Sequence, residues 1–198
     1  MQKIILIFFG VIILFAAIII FYFIGKYNSF VTAEQAVKSQ WAQVESQYQR
    51  RFDLIGNLVE TVKGYAKHEK ETLQNIVEAR SKVGQPTLSA EALKNPEQFS
   101  KFAEGQAGLS SALSRLFVVV EKYPDLKANE NFVMLQSQLE GTENRIAVKR
   151  MRYNESVQKY NAMIKYFPGS FIANMFNFKD YQYFKAEESA QKAPQVKF

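Results

Sequence analysis

The first 24 residues constrain the fold of this chain more than any later segment. No residue between Ile4 and Ile24 carries a charge, and Ile, Leu, Val and Phe dominate this run. At about 1.5 Å of rise per residue, a helix of this run is about 30 Å long, which is the thickness of the hydrocarbon core of a bilayer. A cleavable signal peptide has a shorter apolar core followed by a cleavage site of small residues, whereas this run stays bulky to its end. The sequence therefore predicts an uncleaved signal anchor at residues 1–26, with a transmembrane helix at about 4–24.

The residues after the anchor are enough for one domain and leave little room for a second. About 170 residues remain, which is the usual size of a single domain with its own core. The chain has no cysteine, which excludes disulfides and thiolate metal sites. Its net charge is +6, but acidic residues are interleaved throughout and no basic stripe is present. Nucleic acid is therefore not an expected partner. The predicted anchor makes the lipid bilayer an expected one.

Three long helical patterns follow the anchor. The first extends over about 32–83, with apolar residues at three- and four-residue steps. The second extends over about 96–122 and starts after Asn95, an N-cap residue followed by a proline at the first helical position. The third extends over about 129–167, begins around Asn129, another N-cap residue, and has the most regular apolar stripe. Period-two alternation is absent apart from a short stretch at 176–183, so no sheet is expected.

These patterns predict an all-α fold, in which an N-terminal transmembrane helix precedes an antiparallel bundle of long helices. The bundle is expected at 27–168, and an aromatic and then polar C-terminal tail at 169–198. Thr32 and Gln35 have the spacing of a capping box, so the first soluble helix either restarts there or continues directly from the anchor.

The helix lengths predict how the bundle stands on the membrane. The first helix leaves the bilayer, the second returns by about 40 Å, and the third climbs again by nearly 60 Å. The lower part of the first helix then lacks a partner within the chain, although it carries an apolar stripe that needs cover. Either the tail folds back over this stripe or other copies of the protein do, and we expect a homo-oligomer. The predicted oligomer surface consists of Val37, Trp41, Val44 and Tyr48.

No catalytic motif is present in the sequence. The single histidine, His68, is interpreted as a surface or interface residue, because its neighbours Lys67 and Glu69 point to different helix faces. HExxH, GxSxG and phosphate-binding glycine motifs are absent. The carboxylates are spread along helices rich in Lys and Arg, where ion pairs explain them. We therefore expect no enzyme, no catalytic residues, no metal site and no cofactor.

Polar residues near the inward edges of two helices predict a polar seam. Buried Asn and paired charges fix the register of helices, and the alternative is a cleft that binds a small ligand. Arg150 interrupts an apolar face, and a buried arginine needs a partner. The predicted seam consists of Arg51, Asn57, Glu143, Asn144, Arg145, Arg150, Asn154 and Asn161.

The segment that follows the third helix is dense in large apolar side chains. It either caps the distal end of the bundle, docks a partner or a second copy, or inserts into the membrane. The expected distal position disfavours insertion. The candidate residues are Phe167, Phe171, Met175, Phe176 and Phe178.

Several blocks of the sequence form a recognisable set. They are YNSFV at 27–31, Trp41, RRFDLIGNLVETVKGYAKHE at 50–69, EKYPDLKAN at 121–129, TENRIA at 142–147, YN at 153–154 and 160–161, and FP at 167–168. Together they resemble the LemA family over nearly the whole chain. At Gly56 the family typically has proline, which puts in doubt the helix kink that proline would introduce.

The resemblance implies a bacterial, single-pass membrane protein with an α-helical soluble domain and no established catalytic activity. Some members of the family are associated with membrane stress and with a heat-shock-type membrane zinc protease. By this analogy we expect a non-enzymatic, membrane-anchored scaffold or adaptor that engages another envelope protein, such as a membrane protease. The alternative is a membrane-anchored sensor that binds a small ligand in the polar seam. We expect the protein in the inner membrane. Lys3 and the N-terminal amine precede the predicted span, whereas Lys26 and Lys38 follow it. By the positive-inside rule this distribution of charge slightly favours a cytoplasmic domain.

Overall fold

The computed structural model describes residues 2–65, 70–84 and 87–185. The elements in chain order are α1 (Gln2–Tyr65), α2 (Lys70–Val83), a 3₁₀ turn (Ala92–Lys94), α3 (Pro96–Val120), α4 (Pro124–Lys127), α5 (Glu130–Lys165) and α6 (Gly169–Met175). No strand occurs in these described ranges, and the predicted all-α class is confirmed.

The anchor and the first soluble helix are one continuous helix, α1. The Thr32 hydroxyl donates to the carbonyl of Asn28 at 2.9 Å, so it bonds the preceding turn and does not cap a new helix. By length and composition α1 is a candidate membrane span, and no residue in its most apolar window is buried within the chain. The large apolar side chains from Ile4 to Tyr22 therefore face outward, as they do in a helix surrounded by lipid.

The predicted helix at 32–83 is wrong, because two helices that run in opposite directions occupy this range. The Arg80 guanidinium lies 4.0 Å from the centre of the Phe52 ring, and its Nη2 would lie 3.3 Å from a Cβ added to Gly56. These contacts require α2 to run back along α1. Residues 66–69, which include His68, lie outside the described ranges.

This additional reversal changes the direction of the later helices. Beside the membrane-distal part of α1 (54–62) lie Leu135 and Leu139, near the start of α5. Tyr160 and Ile164, near its end, share a core with the lower part of α1. The third predicted helix, which is α5, therefore runs towards the candidate span. The predicted position of the aromatic segment, at the end of the bundle far from the span, is wrong.

The bundle has two stacked cores. The upper core joins α1, α2, α3, α4 and α5 through branched apolar side chains. In the lower core the place of α2 is taken by the 3₁₀ turn, α6 and the segment that follows α6. The lower core consists of Phe30, Val37, Trp41, Val44, Tyr48, Leu93, Phe99, Ile146, Tyr153, Val157, Tyr160, Ile164, Ile172, Ala173, Tyr181 and Phe184.

Two helices begin at the asparagines that the sequence indicates. Asn95 Oδ1 accepts hydrogen bonds from the backbone N–H groups of Glu97 and Gln98, at 3.0 and 3.1 Å. Asn129 Oδ1 accepts from the N–H of Phe132 at 3.1 Å. Each cap satisfies amide groups that the helix itself leaves free, so the starts of α3 and α5 are fixed locally.

Candidate functional site

The stripe predicted to be an oligomer surface is buried within the chain. Val37, Trp41, Val44 and Tyr48 are each at most 4% exposed. The Trp41 ring stacks on Phe184, with ring centres 6.0 Å apart, and lies 5.5 Å from the Tyr153 ring. The predicted oligomer surface is therefore wrong, because α3, α5 and the C-terminal segment together cover the stripe. Homo-oligomerisation stays a prediction, but an uncovered stripe no longer supports it.

The C-terminal part of this cover is an extended segment, residues 181–185, which we call the strap. Asn161 Nδ2 donates to the carbonyl of Tyr181 at 2.9 Å, and its Oδ1 accepts from the Tyr181 N–H at 3.0 Å. Asn154 pairs in the same way with the N–H and C=O of Phe184, at 3.0 and 2.9 Å. Each asparagine thus acts as a two-bond clamp on the backbone.

The spacing of the two clamps matches the geometry of the strap. Asn154 and Asn161 are seven residues apart on α5, so they lie on one face and about 10.5 Å apart along the helix axis. Tyr181 and Phe184 are three residues apart, which in an extended chain is about 10 Å. The match allows both asparagines to bind the strap without distorting either element.

Further polar contacts fix the strap on both sides. The Gln182 N–H donates to the Leu93 carbonyl at 3.0 Å, and the Tyr153 hydroxyl donates to the Gln182 carbonyl at 3.1 Å. Burial raises the pKa of the Tyr153 hydroxyl above its ordinary value, so this group stays protonated and available as a donor. Arg150 lies 4.5 Å over the Phe184 ring, which provides the partner that the sequence required.

A charged group anchors the start of the strap. Glu34 Oε1 lies 2.7 Å from Lys94 Nζ and accepts from the Tyr181 hydroxyl at 3.1 Å. Lys38 is 3.7 Å away on the same helix. Burial acts to raise the pKa of Glu34, but the bond and charge of Lys94, with smaller contributions from Lys38 and Tyr181, hold it below its ordinary value. Glu34 and Lys94 are distant in sequence, and no local signal joins them.

Arg51 lies at the junction of α1, α3 and α5. This side chain is 2% exposed, and its Nη1 donates to Glu143 Oε1 and to the Ser110 hydroxyl, each at 2.8 Å. Its Nη2 bonds the side-chain oxygen of Gln106. A buried, paired arginine that joins three helices fixes their register, since a shift of any one would leave its charge unpaired. The sequence pointed to Arg51 and Glu143; of the α3 partners, only Gln106 gave a signal, as a polar residue in an apolar stripe.

The predicted seam does not form one continuous feature. Asn57, Asn144 and Arg145 are exposed, so their assignment to the seam is wrong. On α5, Thr142 and Ile146 face the core. Because successive helical residues are turned by about 100°, the intervening Asn144 and Arg145 point outward. The remaining residues divide into the Arg51 cluster and the two clamps with Arg150.

The aromatic segment lies beside the end of the candidate membrane span. The ring of Phe171 is 6.4 Å from that of Phe23, and the ring of Tyr27 is 4.9 Å from that of Phe176. Phe178 is half-buried between the rings of Tyr27 and Phe30. The other candidates are exposed; they are Phe167, Phe171, Met175 and Phe176.

Both ends of α6 are tightly defined. At the start, a Cβ on Gly169 would lie 2.7 Å from the Met163 carbonyl and 3.1 Å from the Phe30 ring, so only glycine fits. At the end, Asn177 is left-handed, with φ of 58°. The N–H of Phe178 bonds the Ala173 carbonyl at 2.9 Å, and that of Asn177 bonds Asn174 at 3.2 Å, which forms a Schellman motif.

Within the described ranges, no group of three or more His, Asp or Glu residues is arranged to hold a metal ion. Asn154 and Asn161 use their side-chain amides to bind the strap, and Arg51 is paired by side chains. The arrangement is therefore that of a packed structural joint.

Comparison with known proteins gives a consistent set of relatives. A sequence model described as the LemA family matches residues 40–198. Magnetosome protein MamQ 1 of Paramagnetospirillum magneticum is 30% identical over 185 residues, which are 85% of this chain and 68% of that protein. Magnetosome protein MamQ of Magnetospirillum gryphiswaldense is 31% identical over 177 residues, covering 80% of this chain and 64% of that protein. Protein LemA of Metamycoplasma hominis is 23% identical over 183 residues, covering 91% and 80%.

Proposed function

Because the chain belongs to the LemA family, we propose that it is a non-enzymatic, membrane-anchored helical scaffold that presents its bundle to another envelope protein. The anchor belongs in the bacterial inner membrane, with the bundle on the cytoplasmic side, as the charges at its two ends favour. A membrane protease is the kind of partner that family analogy suggests.

The continuity of α1 is the observation that carries this proposal. One helix, Gln2–Tyr65, supplies both the candidate span and the central element of the bundle. Beyond residue 24 it extends for about 60 Å, and α5 packs along it. A flexible linker would let the bundle reorient, whereas a continuous helix holds it at a fixed height and rotation above the bilayer. A fixed position is useful to a protein that must meet a partner in the same membrane.

The alternative of a ligand sensor has less support. A sensor requires polar groups that are available to bind a ligand. Asn154 and Asn161 instead bind the strap through both the nitrogen and the oxygen of their side-chain amides. A small ligand would have to displace four hydrogen bonds and uncover Trp41. We therefore favour the scaffold.

The test separates rigid presentation from simple tethering. A photo-crosslinking residue is placed in cells at one of three exposed bundle positions, Val118, Val133 or Met151. A matched variant carries a flexible Gly-Ser insertion after Gly25, which keeps the anchor and the bundle but breaks α1 between them. We expect a discrete adduct with another membrane protein for the unbroken helix and its loss for the interrupted one.

Two results would contradict the proposal. An adduct that persists unchanged in the interrupted variant would show that rigidity is unnecessary. The same adduct from a chain with charges at Ile13 and Leu14, which is no longer held in the membrane fraction, would show that anchoring is unnecessary. Membrane fractionation of every variant serves as the control for each adduct.

A further inference from the structure

We propose that α6 and its flanking residues insert their exposed aromatic side chains into the interface of the bilayer, which gives the bundle a second membrane contact beside its anchor. This proposal rests on the anchoring of α1 proposed above. We call the inserting residues the aromatic foot: Tyr166, Phe167, Phe171, Met175 and Phe176.

The position of the aromatic foot follows from its contacts with α1. Phe23 lies within the predicted span, and its ring is 6.4 Å from that of Phe171. Tyr27, which touches Phe176, is about 4.5 Å of helix rise beyond Ile24. The interfacial layer of a bilayer is about 5–8 Å thick on each side of the hydrocarbon core. Both contacts therefore place the foot at the depth of this layer.

The foot exposes large apolar side chains, whereas a protein surface in water favours polar ones. Phe167 is 87% exposed and Phe171 is 63% exposed. On the other side of α6, Ile172 and Ala173 are buried in the lower core. The helix thus presents one apolar face to the protein and another outward. An outward apolar face that continues directly into the lipid-facing side of Phe23 is most simply covered by the same lipid.

The charges around the foot also fit an interface. Asp180 is the only carboxylate between residues 165 and 180, and it pairs with Lys165. Lys26 and Lys179 are the sequence neighbours of Tyr27 and Phe178, whose rings are in contact, so the charge balance around the foot is positive. Lysines at this depth extend their ammonium groups towards lipid phosphates and are attracted by anionic headgroups.

The fold holds the foot in place before any lipid is met. Gly169 fixes the start of α6 against Met163 and Phe30, and the Schellman motif at Asn177 fixes its end. Beyond it the chain is clamped at Tyr181 by Asn161. Because the segment is already ordered, insertion does not require the ordering of a flexible loop, and this favours binding.

The chain contains no cysteine, which permits a direct test by site-directed spin labelling of the full-length protein. Single variants Phe167→Cys and Phe171→Cys are labelled with a nitroxide and reconstituted in vesicles of phosphatidylethanolamine and phosphatidylglycerol. Collision rates are measured with oxygen, which concentrates in lipid, and with a water-soluble nickel chelate. The controls are Ile13→Cys within the span and Val118→Cys, an exposed apolar position at the distal end of α3.

We expect the labels at positions 167 and 171 to collide more with oxygen than with the chelate, at a shallower depth than position 13, and position 118 to show the reverse. If position 13 lies in lipid but 167 and 171 match 118, the foot is overturned while the anchor stands. Protection of 167 and 171 from both reagents would assign the foot to a protein partner or a second copy and would equally overturn the proposal. An aqueous label at position 13 would refute the anchoring itself.

Discussion

Replacement of Asn161 by alanine tests the strap most directly. Asn161 is buried and provides both hydrogen bonds to the backbone of Tyr181, whose side chain is 1% exposed. Asn161→Ala leaves the N–H and C=O of Tyr181 without partners at a site that water does not reach. The chain can respond in two ways: the strap stays and the two groups remain unpaired, or the strap detaches into water.

Both responses lead to a similar loss of stability. If the strap stays, each of the two buried polar groups left without a partner costs about 1–3 kcal/mol. If it detaches, the backbone regains water but Tyr181 and Phe184 lose their burial, at about 1.5–3 kcal/mol for each side chain. The protein takes the less costly route, so we expect the free energy of unfolding to fall by about 2–4 kcal/mol. Asn154→Ala should cost less, because that clamp is only partly buried.

The assay is urea unfolding of the full-length protein in mild detergent, followed by circular dichroism and by the fluorescence of Trp41. Trp41 is the single tryptophan and stacks on Phe184 of the strap, so its emission reports detachment. The matched control is Asn144→Ala on the same helix, where the side chain is exposed and a change within about 0.5 kcal/mol is expected. A loss in Asn161→Ala no larger than in this control, with unchanged Trp41 emission, would refute the clamp.

Three further predictions follow from the geometry. Gly141→Ala should raise the melting temperature, because an added Cβ meets nothing within 4 Å and alanine is favoured within a helix by about 1 kcal/mol; an unchanged or lower value would contradict this. Gly169→Ala should lower it, since the Cβ would lie 2.7 Å from a backbone carbonyl; a neutral effect would contradict the close approach of α6. Because its folded pKa is depressed, Glu34 stabilises the protein at pH values above the ordinary 4.5 and loses this effect as the pH falls through the lowered value. The difference in melting temperature between wild type and Glu34→Gln should therefore vanish in acid, and a constant difference would oppose it.

The sequence predicted those features that depend on neighbouring residues. Short segments determine the apolar run of the candidate membrane span, the caps at Asn95 and Asn129 and the all-α class. The end of α1 at Tyr65 carries no comparable signal, because no proline interrupts the pattern between there and Val83. That missed reversal inverted the expected direction of every later helix.

The clamps show a different limit of sequence reasoning. The sequence marks Asn154 and Asn161 as polar residues beside an apolar stripe. Their partners are backbone groups 30 and 20 residues away, and a backbone group has no side-chain identity that a pattern can detect. The predicted seam therefore located both asparagines on the inner side of α5, but it assigned them to contacts between helices instead of to the backbone of the strap.

The two stacked cores are completed at different moments of protein synthesis. All buried residues of the upper core precede residue 140, whereas the lower core requires Tyr181 and Phe184 near the end of the chain. During translation the upper core can close first, while Trp41 and its neighbours in the lower core stay open until the strap emerges. A chain that terminates before the strap would leave this aromatic surface uncovered, and proteases that recognise exposed apolar residues would distinguish it from the folded protein.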